Sequence, residues 1–178
     1  SDVLQVSDEY GGDLFEVNPS VDPGRGNIDI DSDTLDINYV GIEHIELNAS
    51  GGEGGTDSLI VNDDGADNVW EVRAGRFGDL IEIDDRETID YSDFVDVELV
   101  NDFGNDIFRV HPTELANFSG TFTVTGDATD FDSLEAIGTA HTDTITSGPG
   151  GGPQGTVTVN GVSIRFGTLE TIKLVGLE

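Results

Sequence analysis

Residues 56–72 read TDSLIVNDDGADNVWEV, and residues 1–17, SDVLQVSDEYGGDLFEV, align with them without a gap. Each stretch has two short runs in which apolar and polar residues alternate. Leu59 and Val61, then Trp70 and Val72, are the apolar positions in one; Leu4 and Val6, then Phe15 and Val17, are those in the other. Alternation with period two marks a strand with one buried face. Between the runs lie Asp, Asn and Gly, which favour turns because they tolerate left-handed backbone or bond to their own main chain. The unit is therefore strand, acidic turn, strand.

Two patterns repeat around this unit. A polar residue followed by alternating apolar positions recurs at Asp13-L-Phe15-E-Val17, Asn68-V-Trp70-E-Val72, Asp106-I-Phe108-R-Val110 and Asp143-T-Ile145-T-Ser147. An aromatic residue followed by spaced apolar ones recurs at Tyr39-VG-Ile42-EH-Ile45, Tyr91-SD-Phe94-VD-Val97, Phe131-DS-Leu134-EA-Ile137 and Phe166-GT-Leu169-ET-Ile172. The two patterns keep a near-constant separation, from Phe15 to Tyr39, Trp70 to Tyr91, Phe108 to Phe131 and Ile145 to Phe166. The interval from Phe15 to Trp70 is the longest between units, because an extra strand segment around Gly51–Val61 is inserted there. A repeat too thin to bury its own face is stabilised by stacking on its neighbours. The expected fold is all-β, a parallel β-helix or β-solenoid of about four units, approximately 1–55, 56–100, 101–140 and 141–178, in a single domain. Tyr39, Tyr91, Phe131 and Phe166 are expected to stack as core ladders. An antiparallel β-sandwich is the alternative, and Asn160-Gly161 between two alternating runs reads as a tight hairpin turn that suits it. No helix is expected beyond one short turn within residues 112–118.

The chemistry this sequence can carry lies in its turns. Asn62-DDGAD-Asp67, Asn101-DFGND-Asp106 and Gly51-GEGGTD-Asp57 each bring two or three carboxylates around glycine. Calcium takes six to eight oxygens from carboxylates, carbonyls and amides. Two such turns stacked at one corner would complete a shell. Asp63, Asp64, Asp67, Asp102 and Asp106 are the first candidates, with Asn105 and Asp57 beside them. A second group, Asp29-I-Asp31-S-Asp33 with Asp36, has the spacing of an EF-hand loop start but lacks its later Gly and Glu. Asp31 and Asp33 hold the same place in their unit as Asp84 and Asp85, so stacking would pair the two groups.

These turns resemble the glycine- and aspartate-rich calcium repeats of RTX secreted proteins, G-G-x-G-x-D-x-U-x with U apolar. Gly104-Asn105-Asp106-Ile107-Phe108 is similar to the second half of that pattern; Asn101 and Asp102 stand where its first glycines would be. The resemblance spans about three short turns, and it implies a calcium-bound β-roll. The strand segments Ile42-EHIEL-Leu47 and Leu169-ETIKL-Leu174 also look like modules of very large bacterial surface proteins.

Charge points the same way. The chain has 37 acidic and 7 basic residues, a net of −30, and one lysine, Lys173. Residues 1–106 hold 29 acids and 4 bases, residues 107–178 only 8 and 3. Such a surface repels nucleic acid and anionic lipid, so neither is an expected partner. Self-repulsion opposes compaction unless cations offset it. Uneven charge favours local dication sites over general acidification for high salt.

An enzyme is not expected. There is no cysteine, and His44, His111 and His141 lack zinc-site spacing. No nucleophile elbow or phosphate loop occurs. With so many acids, a carboxylate pair at glycosidase spacing carries no signal. Calcium-dependent polysaccharide lyases are built on β-helices and need a basic residue in the groove; Arg73, Arg76 and Arg109 are the clustered candidates, and pairing with carboxylates is the ordinary reading of them. Asn48-A-Ser50 and Asn117-F-Ser119 fit glycosylation sequons. No apolar run is long enough to span a membrane as a helix. Lacking methionine, the chain reads as a processed product or a piece of a longer one.

The last residues, Ile172-KLVGLE-Glu178, joined to the first, Ser1-DVLQV-Val6, resemble Leu99-VNDFGNDIFRV-Val110. The expected function is an extracellular structural protein: a calcium-stabilised module or subunit, secreted or at the cell surface, that stacks head to tail into a fibre, surface layer or adhesin stalk. The alternative is a carbohydrate-binding or lyase-like β-helix with cell-surface glycans as partners.

Overall fold

A computed structural model describes residues 2–7, 12–30, 35–49, 56–63, 65–76, 78–84, 86–115, 120–149 and 154–176. Within them the chain is all-β, with seventeen strands and no helix. The strands are β1 (Val3–Ser7), β2 (Leu14–Pro19), β3 (Arg25–Ile30), β4 (Leu35–Val40), β5 (His44–Asn48), β6 (Ser58–Asn62), β7 (Val69–Ala74), β8 (Asp79–Ile83) and β9 (Thr88–Ser92). They continue with β10 (Asp96–Val100), β11 (Ile107–Val110), β12 (Thr121–Thr125), β13 (Ser133–Ile137), β14 (Ile145–Pro149), β15 (Gly155–Val159), β16 (Val162–Gly167) and β17 (Thr171–Val175).

Two sheets result. The first has the order β1-β5-β9-β8-β7-β11-β13-β17, the second β14-β15-β16-β12-β10-β6-β2-β3-β4. From β10 to β13 the chain crosses between sheets after every strand, and each return places a strand parallel to an earlier one. Phe15, Leu59, Val97, Phe122 and Ile164 come into register across the second sheet. Trp70, Phe108, Leu134 and Ile172 do so across the first. The bare circuits are the short ones, from Val97 to Phe122 in one sheet and from Phe108 to Leu134 in the other. Most of the longer ones contain antiparallel excursions within a sheet: β2-β3-β4 and β14-β15-β16 in the second, β7-β8-β9 in the first. The Asn160-Gly161 turn closes β15 onto β16, with φ of 50° and 92°. Two sheets over one core make the arrangement sandwich-like. Its sheets are nevertheless mixed, with nine parallel and six antiparallel strand pairs among the described residues.

The alternating apolar positions of both sheets form that core. Trp70 and Phe108 stack within it, with ring centroids 5.3 Å apart. The expected ladder of Tyr39, Tyr91, Phe131 and Phe166 does not form. Tyr39 lies in the second sheet and Tyr91 in the first, while Phe131 is 63% exposed on a turn. The excursions cause this difference: they shift which sheet a given copy of the pattern enters. For the same reason β1-β2 and β6-β7, nearly superimposable in sequence, are placed in opposite order. The first pair leads from the first sheet to the second, the other back again. The expected short helical turn at 112–118 is a hydrogen-bonded turn over Pro112–Glu114, and residues 116–119 lie outside the described residues.

Candidate functional site

Of the turns that lead from the second sheet into the first, four lie beside one another among the described residues: 63 and 65–68, 101–106, 126–132 and 168–170. Each ends in a polar residue immediately before its strand: Asn68, Asp106, Asp132 and Glu170. In a parallel stack the amide of this residue points at the next layer, where a side-chain oxygen one layer on accepts it. Asn68 N donates to Asp106 Oδ1 at 2.7 Å, Asp106 N to Asp132 Oδ1 at 2.9 Å, and Asp132 N to Glu170 Oε2 at 2.8 Å. The opposite corner repeats the device once: Asp13 N donates to Asp57 Oδ1 at 2.8 Å. A buried amide left without an acceptor is costly, so these acids hold layers together.

Further contacts knit the corner. Asn68 Nδ2 donates to Asp63 Oδ1 at 2.6 Å, and Asn101 Nδ2 to Asp132 Oδ1 at 2.8 Å. An outer band runs parallel to the inner column. Asp67 Oδ1 accepts Asn105 N at 2.8 Å, Asn105 Oδ1 accepts Phe131 N at 3.0 Å, and Asp130 Oδ2 accepts Gly104 N at 3.0 Å. The turns approach closely at Gly104, whose φ is 104°; a Cβ there would collide with the Ala66 carbonyl oxygen.

The inner column has an electrostatic cost. Asp106 is fully buried, and its pKa is pushed up to about 8. Burial is the main cause; the Asn68 amide opposes it, and the charges of Asp63 and Asp132 add to it. Asp106 Oδ2 and Asn101 Oδ1 are buried with no hydrogen-bond partner. Trp70 Nε1 is also buried without one, and its indole lies near enough to the Asp106 carboxyl to lower its pKa slightly. Burial, joined by the charge of Glu170, also raises the pKa of Asp132, against the amides of Asp106 and Asp127 and the Asn101 side chain.

The candidate residues divide accordingly. Asp63, Asp67, Asn105 and Asp106 come together at this corner, as two stacked turns require. Asp102 is in the same turn but exposed. Asp57 belongs to the opposite corner. Asp84 caps the start of β7, its Oδ2 accepting Val69 N at 3.0 Å. It lies in the first sheet's excursion, whereas Asp29 and Asp36 pair in the second sheet. Asp31, Asp33, Asp64 and Asp85, and the sequon residues Ser50 and Asn117–Ser119, lie outside the described residues. Among the described residues no group of three or more His, Asp or Glu side chains is arranged to hold a metal ion. Asn68, Asp132 and Glu170 are not evident as site residues from the turns alone. Their signal is an acid or amide one place before a strand, which Glu43, Asn68, Glu87, Asp106, Asp132 and Glu170 share throughout the first sheet.

The basic residues are engaged elsewhere. Arg73 pairs with Glu82 at 2.7 Å and Arg109 with Glu135 at 3.0 Å, and Lys173 reaches the same Glu135 at 2.7 Å. No protein-family model matches this chain, and no curated protein or solved structure does.

Proposed function

We propose that this chain is an extracellular structural module, a β-solenoid whose coils are locked by their corners and stiffened by calcium, serving in a fibre, surface layer or adhesin stalk. The observation that carries the reading is the amide-to-carboxylate column through Asn68, Asp106, Asp132 and Glu170. The strands it joins are parallel neighbours reached after one circuit of chain each, as a solenoid requires. The conspicuous polar residues serve layer-to-layer cohesion, which is what a rod under tension needs.

Calcium fits the chemistry of the donors in kind. The corner supplies hard oxygens: Asp106 Oδ2 and Asn101 Oδ1, which lack donors, beside the carboxylates of Asp63 and Asp132. A dication there would offset mutual repulsion along the column and part of the net −30. The hydrogen bonds already made by Asp63, Asp106 and Asp132 mean that such an ion would share its ligands with the backbone.

Thermal melting tests the reading. A ligand at about 1,000 times its dissociation constant adds about 4 kcal/mol per site when only the folded state binds it. Millimolar calcium should raise the melting temperature well above that in chelator, and Asp106→Asn should shrink the rise. If sodium chloride of equal ionic strength reproduces the full rise, the charge is a general adaptation to salt and calcium has no specific place.

A further inference from the structure

The two ends of the strand stack are complementary halves of a joint already present inside the molecule. Among the described residues β1 and β17 each have a single neighbour in the first sheet, and they lie at its opposite edges. Every strand of that sheet except β8 runs in the same direction, so the outer edges of β1 and β17 would meet in parallel. The second sheet behaves alike: its edge strands β4 and β14 also share one direction, because each excursion reverses twice. An open edge of unpaired backbone groups is a template for another strand.

We infer that a second copy of this chain docks end to end, its β1 adding in parallel to β17, with Val3 opposite Thr171, Gln5 opposite Lys173 and Ser7 opposite Val175. The inference rests on the structural reading above and specifies its partner. Register follows from the residue before each strand. Ser133 pairs with Thr171, which places Asp132 level with Glu170, and Val3 pairs with His44, which places Asp2 level with Glu43. The backbone bonds at both joints agree: Glu170 N donates to Asp132 O at 3.1 Å, and Glu43 N donates to Asp2 O at 3.2 Å. Setting Asp2 of one copy level with Glu170 of the next repeats this step.

Side chains match on both faces in that register. Inward, the column Phe108, Leu134 and Ile172 would run on into Leu4, Ile45 and Ile89. Ile172 and Leu4 are only partly buried now, and Leu174, which faces inward two places on, is 45% exposed. Outward, Lys173 beside Glu135 would stand next to Gln5, which bonds to Glu46. Acidic surfaces repel across the joint, but at physiological salt exposed charges are screened beyond about 8 Å. Lysine on an edge strand can instead block pairing; here its ammonium is held by Glu135 in its own sheet.

The chain has no cysteine, so engineered pairs report register directly. A Gln5→Cys/Lys173→Cys chain, oxidised in physiological salt with calcium, should give a ladder of disulfide-linked multimers on non-reducing gels. Ser7→Cys/Lys173→Cys, one side-chain pair out of register, should give at least ten-fold less. Leu174→Asp should abolish the ladder in the first variant while its melting temperature stays within a few degrees, since that side chain is already half exposed. Equal cross-linking in both registers, or a chain that stays monomeric at every concentration, overturns the inference. Neither result touches the calcium melting test, so the joint can fail while the structural reading stands.

Discussion

Asp132 Oδ1 accepts the Asp106 amide at 2.9 Å and Asn101 Nδ2 at 2.8 Å, while Oδ2 accepts the Asp127 amide at 3.0 Å. One buried carboxylate therefore closes its own turn and ties it to the preceding layer. Asp132→Ala would leave these donors without acceptors in a dry corner, at about 1–3 kcal/mol for each unsatisfied group. The expected loss is about 3–5 kcal/mol by urea denaturation, allowing for partial rescue by water. Asp132→Asn keeps one oxygen and should lose less. Equal losses for the two would mean that the side chain matters for its volume, not its acceptors.

Acid stability follows from Asp106 and Asp79. Burial raises Asp79 to about 6, and Asp106 lies at about 8. Both values exceed those of the unfolded chain, so the folded state binds more protons in between. Stability contributed by these groups is full below about pH 4 and is lost as pH rises through 6 and then 8. Asp127 and Asp143 act oppositely. Hydrogen bonds, from Thr129 to the first and chiefly Thr139 to the second, hold both below the ordinary carboxylate range, so their contribution vanishes as pH falls below that range. Metal-free protein should therefore melt highest near pH 4–5 and progressively lower toward pH 9. Asp106→Asn should flatten the slope between pH 7 and 9; an unchanged slope there would show that Asp106 is not its source.

The two sheets are also pinned at the Tyr39–Glu87 pair. Tyr39, on β4 of the second sheet, donates its hydroxyl to Glu87 Oε1, and Gly24 N donates to Oε2 at 3.2 Å. Glu87 is 1% exposed and precedes β9 of the first sheet. Burial and this neighbour push the Tyr39 hydroxyl far above its ordinary pKa. Gly26 makes room for it, since a Cβ there would collide with the hydroxyl oxygen. Tyr39→Phe should cost about 1–3 kcal/mol, the penalty of a buried acceptor stripped of a donor. Gly26→Ala should cost at least as much by displacing the ring. A Tyr39→Phe protein as stable as the parent would remove this pair from the account.

Strand positions, the acidic turns and the hairpin at Asn160-Gly161 were legible because each is written locally, in alternation or in turn chemistry. The corner shared by Asp63, Asp67 and Asp106 was legible as well, because similar turns one circuit apart stack. The sheet to which each strand belongs was not. An excursion adds two antiparallel strands without altering the local pattern. Spacing alone therefore cannot tell the bare circuit from Val97 to Phe122 from the longer ones that contain an excursion. The same ambiguity concealed the role of Asp132 and Glu170, which only the stacking order sets against Asp106. It also misassigned the aromatic residues, because Phe131 fits the pattern of Tyr91 yet sits on the outer band of the corner.

That misassignment has a direct test. Trp70 is wholly buried and stacks on Phe108, whereas Phe131 is 63% exposed. Deleting a large buried aromatic side chain removes its transfer free energy and leaves a cavity, about 3–5 kcal/mol for Phe or Trp to Ala. Trp70→Ala and Phe108→Ala should each cost that much. Phe131→Ala should stay within about 0.5 kcal/mol, as exposed substitutions do, because its turn is held by its backbone amide on Asn105 and not by its ring. Denaturant melts of the three variants decide the matter. A Phe131→Ala loss comparable to that of Trp70→Ala would place the ring inside a core, and with it restore the ladder that equal spacing in the sequence suggests.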